Sequence, residues 1–215
     1  MRRRILAAVA VAGLMTMAGC GFLLGTEALE FSASQATASD EALDDTGYEE
    51  ANVSQQVVER EFEAAGQTRE VVVTNHLAQY ERQVGLERIG EQRAAAVVAF
   101  SSPQIKLPTG DTLNPIGDMS EREILTNFNT NYQGISVGNQ TGSQNVSVLG
   151  ADRSIEQFDG TATLAGQEVD VVIHAGKFKH GSDYIGVVAI YPEMAAGEED
   201  RVVTLLNGLE HETES

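Results

Sequence analysis

One cysteine, Cys20, and three lysines, Lys106, Lys177 and Lys179, are all that this 215-residue chain has of either residue. A lone cysteine excludes an intramolecular disulfide and a multi-cysteine zinc site. Positive charge is scarce throughout: 14 Lys+Arg stand against 32 Asp+Glu, a formal net charge of −18. Nucleic acid is excluded as a partner, because its phosphates demand a basic face. The four histidines, His76, His174, His180 and His211, make no zinc-type spacing with each other or with Cys20, so no metal and no cofactor are expected. No Walker loop or Gly-rich dinucleotide turn occurs, and no nucleophile elbow is expected. With many Ser and Asp and four His, any catalytic triad would be an arbitrary choice. The reading is therefore non-enzymatic.

What the chain does have is a strongly marked beginning. Arg2, Arg3 and Arg4 precede an apolar run, residues 5–17, and then Ala18-Gly19-Cys20. A basic head, an apolar middle and small residues before a cut describe an export signal. The Arg2-Arg3 pair fits twin-arginine export of folded proteins, with Sec export as the alternative. Met17-Ala18-Gly19-Cys20 resembles the lipobox of prokaryotic lipoproteins. A thiolate is the nucleophile that takes a lipid in thioether linkage, and small neighbours admit the processing enzymes. The membrane, reached through a lipid on Cys20, is the first partner expected. An uncleaved anchor is the alternative, since residues 5–24 would span a bilayer. Either way the arginines stay inside and the body lies on the extracellular face.

Without Arg2, Arg3 and Arg4 the remainder carries 11 basic residues against 32 acidic ones. Such a charge repels itself at ordinary ionic strength. At 1 M salt the screening length falls to about 3 Å. Acids spread along the whole chain, with few lysines, therefore point to a halophile.

Local patterns give the domain plan. An export signal occupies 1–19, the lipidated Cys20 and a short tether 20–26, and a single α+β domain 27–215. A Pro- and Gly-rich stretch at 101–118 is a loop or hinge, and two halves joined there are the alternative organisation. A strand starts near residue 29. Ser39 caps a short helix that Gly47 ends. Residues 55–64 and 70–80 form a hairpin followed by a strand at 91–100, with Ala94, Ala96, Val98 and Phe100 on its apolar face. Ser120 and Glu123 form a capping box for a helix to about residue 129. Residues 132–144, rich in Gly, Asn and Gln, read as an exposed loop. Four strands follow, at 145–149, 155–164, 168–175 and 184–191, the last apolar on both faces, with Ala165-Gly166-Gln167 and Lys179-His180-Gly181-Ser182 as the turns between the last three. A final helix begins near Gly197, with Glu198, Glu199 and Asp200 at its positive end. Val202, Leu205, Leu206 and Leu209 give it one apolar stripe. The expected fold is α+β: an antiparallel sheet with helices on one face, the C-terminal helix covering the sheet and residues 210–215 frayed.

Given the lipobox, the opening Leu29-Glu30-Phe31-Ser32-Ala33 and the step Asp45-Thr46-Gly47-Tyr48, the chain resembles a family of haloarchaeal lipoproteins of unknown function. That resemblance implies export, lipid anchorage and salt adaptation, and implies no activity. Residues 120–210 also resemble, in element order alone, the PsbP-like fold of lumenal photosystem subunits.

Remaining candidates are few. Lys177-Phe178-Lys179 between His174 and His180 is either an anion site or an exposed turn, and the turn is favoured. The acidic groups Asp44-Asp45, Glu49-Glu50 and Glu198-Glu199-Asp200 read as solvated surface. Asn52, Asn139 and Asn145 begin N-glycosylation sequons. The leading expectation is a binding or scaffold domain with an unknown protein partner near the membrane. The alternative is a ligand-binding accessory subunit with a pocket between sheet and terminal helix, near Phe158, Val171 and Leu206.

Overall fold

A strand that is apolar on both faces must be covered on both faces. Residues 185–190 and 94–99 are of that kind, all buried, and they lie side by side at the centre of one sheet. The structure is a computed structural model. It describes residues 28–64, 67–86, 90–106, 112–114, 116–127 and 133–213. Arg2, Arg3, Cys20 and the tether lie outside the described residues, as do residues 65–66.

The elements in chain order are β1 (Leu29–Ser32), β2 (Ala36–Ala38), α1 (Asp40–Thr46), β3 (Glu49–Ala64), β4 (Gln67–Leu86), β5 (Gly90–Pro103), β6 (Ile105–Lys106) and β7 (Thr112–Leu113). Then come α2 (Glu121–Asn127), β8 (Gln133–Val148), β9 (Ala151–Leu164), β10 (Gln167–His180), β11 (Asp183–Pro192), α3 (Glu198–Asn207) and β12 (Leu209–His211). Two antiparallel meanders, β3-β4-β5 and β8-β9-β10-β11, join through the antiparallel pair β5·β11. β1 adds to β4 in parallel, so the eight-stranded sheet is mixed. The segment between β5 and β8 carries β6, β7 and α2 across one face, and α2 packs on β10. We call this the front. The back carries α1, α3 and the small β2·β12 sheet.

The expected α+β fold is thereby corrected. Among the described residues the chain is mostly β, with three short helices of 7, 7 and 10 residues. A ten-residue helix is about 15 Å long, while strands of 14 to 20 residues run to roughly 45–65 Å. None of these three helices spans a sheet face. The stripe of α3 is buried, but α3 packs on α1 and reaches the sheet at β8. Leu209 falls in β12, past the helix. Residues 209–211 pair with β2 and are not frayed.

The 132–144 stretch is also corrected: from Gln133 it is part of β8. Its polar side chains suit an edge strand that is wet on one side, and register shifts at 133/136, 137/140 and 140/142 interrupt its alternation. β5 is buried on both faces over 94–99, where one apolar face was expected.

Where the sequence signals were stereochemical, they held. Ser39 accepts from the Ala42 amide, and Gly47 (φ 70°) returns its N–H to the Leu43 carbonyl. Glu123 and Ser120 exchange the two bonds of a capping box. Ala165-Gly166 has φ of 49° and 80°, the positive pair that a two-residue hairpin turn requires.

Candidate functional site: a roofed apolar cleft

Side chains alternate across a strand, and register partners share a face. On β4 this sends Val73, Asn75, Leu77 and Gln79 to the front and His76, Ala78 and Tyr80 to the back. β3 contributes Val58, the partner of Val73, and β5 contributes Phe100, the partner of Leu77. Over this floor lies the crossing segment, with Ile105, Leu113, Asn114, Ile116, Met119 and Ile124. Floor and roof border an open cleft of about 910 Å³. That is within the range of small-molecule sites, and its walls are mainly aliphatic.

Two side chains fix the roof. The Asn114 amide donates to the carbonyls of Ser102 (3.2 Å) and Pro103 (2.9 Å) at the end of β5. Its oxygen accepts from the amides of Ile116 and Gly117, both at 2.9 Å. Lys177, on the front of β10, donates to the Gly117 carbonyl at 2.8 Å and also to that of Met119. Neighbouring Lys179 donates to Gln104 at 3.2 Å. The roof is therefore a built structure, where the sequence pattern allowed only a loop or hinge.

Two buried side-chain atoms on the front of the floor strands are unsatisfied, Asn75 Oδ1 and Ser102 Oγ. Asn75 is 4 % exposed, and its Oδ1 has no hydrogen-bond partner among the described residues. An orphaned buried polar atom costs about 1–3 kcal/mol. Asn75 lies between Val73 and Leu77 on β4, and its cross-strand partner on β3 is Gln56, which also lines the cleft. The charged residues that line the cleft are Arg60, exposed on edge strand β3, and Asp118 in the roof.

The residues singled out in the sequence fall elsewhere. Phe158, Val171 and Leu206 are each buried and do not surround one cavity. Phe158 and Val171 border a second, more polar cleft of about 690 Å³ at the β8–β9 irregularity, while Leu206 belongs to α3. That second cleft includes Ser136. Residues 134–138 spell Gly-x-Ser-x-Gly. They lie inside β8, where Ser136 pairs with Thr161, and form no strand-to-helix elbow. No histidine lines that cleft among the described residues.

The basic cluster around Lys177 separates by strand alternation. Lys177 and Lys179 serve the roof. His174 and His180 point to the back. Burial pushes His174 down to about 4, with its Nε2 2.9 Å from the Tyr191 hydroxyl. Burial also lowers His180, which lies 2.9 Å from His211. His211 in turn meets Asp183 at 3.1 Å. That pair is enclosed, and the second ring nitrogen of His211 faces His180 rather than a hydroxyl. His76, also on the back of β4, is lowered by burial, which outweighs the opposing pull of Asp183.

Glu198, expected among solvated acids, is fully buried. It accepts from the Tyr48 hydroxyl at 2.9 Å and pairs with Arg82. Asp44, Asp45, Glu49 and Glu50 are exposed, and the described residues hold no metal-binding group of three His, Cys, Asp or Glu. Asn52, Asn139 and Asn145 are all exposed.

The family described as a domain of unknown function, DUF6517, matches residues 35–210. The chain belongs to that family. The matched span runs from the start of β2 into β12, so the β2·β12 pair closes the DUF6517 domain and the whole cleft lies within it. No curated protein and no solved structure matches the chain. The architectural likeness of 120–210 to PsbP-like proteins thus finds no counterpart among solved structures.

Proposed function

We propose that this DUF6517 chain is a ligand-binding lipoprotein of the cell surface, non-enzymatic, lipid-anchored through Cys20 and adapted to high salt. The observation that carries the binding reading is the roofed cleft: a mainly aliphatic cleft whose roof is held to the sheet by Asn114 and Lys177. It lies opposite the face that carries the C-terminal helix. A protein that only scaffolds a partner has no use for such a cavity, and filling it would be stabilising.

The address rests on the sequence. Cys20 precedes Leu29 by nine residues, so β1 begins within about 30 Å of the anchor. The acidic composition supports the halophile.

Full-length protein purified from its native membranes in concentrated salt should carry a low-mass apolar molecule, identified by mass spectrometry after extraction. Leu77→Arg, which places a charge in the floor, should lose it while keeping its circular dichroism. An empty wild-type chain, or one whose bound molecule survives Leu77→Arg, overturns the reading.

A further inference from the structure

Among the described residues the eight-stranded sheet ends in two long edge strands, β3 and β8, and they are defended differently. β3 carries Glu49, Glu50, Glu59, Arg60, Glu61 and Glu63. β8, also 16 residues long, carries no charged residue, alone among the described strands of that sheet. A long uncharged edge offers its free N–H and C=O groups to any other strand. We propose that N-linked glycans on Asn139 and Asn145 cover the β8 edge. This rests on export to the cell surface and is independent of the cleft.

Placement is the first support. The sequence holds Asn-x-Ser/Thr triplets at Asn52, Asn139 and Asn145. Two of them lie on β8 and the third on β3, so each stands on an edge strand and none on an interior one. Asn139 and Asn145 are both exposed. Around Asn145, Ser143 and Ser147 share the exposed face, while Val146 and Val148 are buried.

The second support is where cover already exists. Arg122 of α2 donates to the carbonyls of Val137 at 3.3 Å and Gly138 at 2.7 Å. Asn139 is the next residue, so both triplets of β8 fall beyond the stretch that Arg122 serves.

Pairing with a second copy fits less well. Register shifts interrupt β8 as far as residue 142, and such bulges bend an edge away from a partner. The regular run is 142–148, with Asn145 at its centre. A two-fold pairing of that run would set Asn145 against its own copy. Asn is also a poor strand former, and modification accounts for its use there where pairing does not. At 1 M salt, repulsion between acidic copies is screened within about 3 Å. A glycan acts by bulk and hydration, which salt does not screen.

The donor is an oligosaccharide held through its anomeric carbon on a lipid phosphate. The Asn Nδ2 displaces that phosphate. The C1–O bond breaks, an N–C1 bond forms, one amide proton is lost, and the lipid phosphate departs with the bonding pair.

The test is mass spectrometry, with fragmentation to localise the sites, on full-length protein from its native membranes. Hexose-type additions should be found on Asn139 and Asn145. The double variant Thr141→Ala/Ser147→Ala keeps both asparagines and loses both triplets. It should keep the wild-type circular dichroism in concentrated salt and self-associate, giving a roughly doubled mass or more by light scattering. Asn139→Gln/Asn145→Gln should behave alike, and it decides if the first variant misfolds.

A processed chain that is bare at both sites overturns the glycans while leaving export intact. A chain that retains residues 1–19 and is bare overturns both. Glycans whose loss leaves the chain as dispersed as wild type overturn the covering role. A wild-type dimer with bare Asn145 gives the edge to a second copy, and overturns the proposal.

Discussion

The Lys177 ammonium donates to the Gly117 carbonyl at 2.8 Å, joining the middle of β10 to the segment that roofs the cleft. The two residues are 60 positions apart. Their contact ties residues 117–119 of the roof to the sheet. The same lysine also serves Met119, so one side chain satisfies two roof carbonyls.

Lys177→Met keeps most of the aliphatic stem and removes the donor. Two carbonyls then lose a charge-assisted bond, which costs about 1–3 kcal/mol. Amides of residues 116–125 should exchange with solvent faster, while those of β11 should not change. Unaltered exchange over 116–125 would show that Asn114 alone holds the roof.

Glu198 joins α3 to β4 through Arg82 and to the start of β3 through Tyr48. Glu198→Ala leaves Arg82 without its buried partner. Breaking such a pair costs about 3–5 kcal/mol. Tyr48→Phe removes one bond to the carboxylate and should cost less, about 1.5–3 kcal/mol. Denaturant unfolding in concentrated salt measures both, and a Glu198→Ala chain as stable as wild type would refute the role given to the pair.

Acid should destabilise the fold through its buried histidines. His174 is held down to about 4 by burial, against about 6.5 in an unfolded chain. The unfolded state therefore takes up this proton first. Stability is full above about pH 6.5, falls as pH drops towards 4, and loses nothing more from this group below that. The loss amounts to about 3 kcal/mol. His76 and His180 are shifted in the same direction. His174→Phe should flatten the stability profile between pH 6.5 and 4, and an unchanged slope would assign acid sensitivity elsewhere.

Gly208 marks the closest approach of α1 and α3. A Cβ there would lie 2.3 Å from the Cβ of Ala42. The neighbour is a short, rigid side chain on a helix, so Gly208→Ala must push the two helices apart. Overpacking of this kind costs about 1–3 kcal/mol. The accompanying loss of the Ser39 amide bond to the Gly208 carbonyl, 2.9 Å in the wild type, is readable by hydrogen exchange.

The address and the environment are tested at two points. Cys20→Ser should release the chain from membranes or block its processing, and unchanged retention and size would indicate a signal anchor. Structure should be lost as salt is lowered, because roughly 3 Å screening at 1 M lengthens to about 10 Å at 0.1 M. Full stability in dilute buffer would remove the halophile from the account.

Sequence alone determined the features that a few neighbouring residues settle among themselves. The Ser39 and Gly47 caps, the Ser120–Glu123 box and the Ala165-Gly166 turn are local stereochemistry, and each is found where the residues demand it. The apolar run 185–191 announced a central strand for the same reason. Tertiary structure decided the rest. Residues 133–148 pair as a strand because an edge needs backbone partners more than apolar side chains. Alternation on β10 sends Lys177 to the front and His174 to the back, so a cluster in sequence is divided in space. Glu198 reads as one acid among many until Arg82 and Tyr48, 116 and 150 positions away, enclose it. The cleft depends most of all on distant pairing. Its floor comes from β3, β4 and β5 and its roof from the segment after them, and no local pattern encodes a cavity whose walls meet only when the sheet has formed.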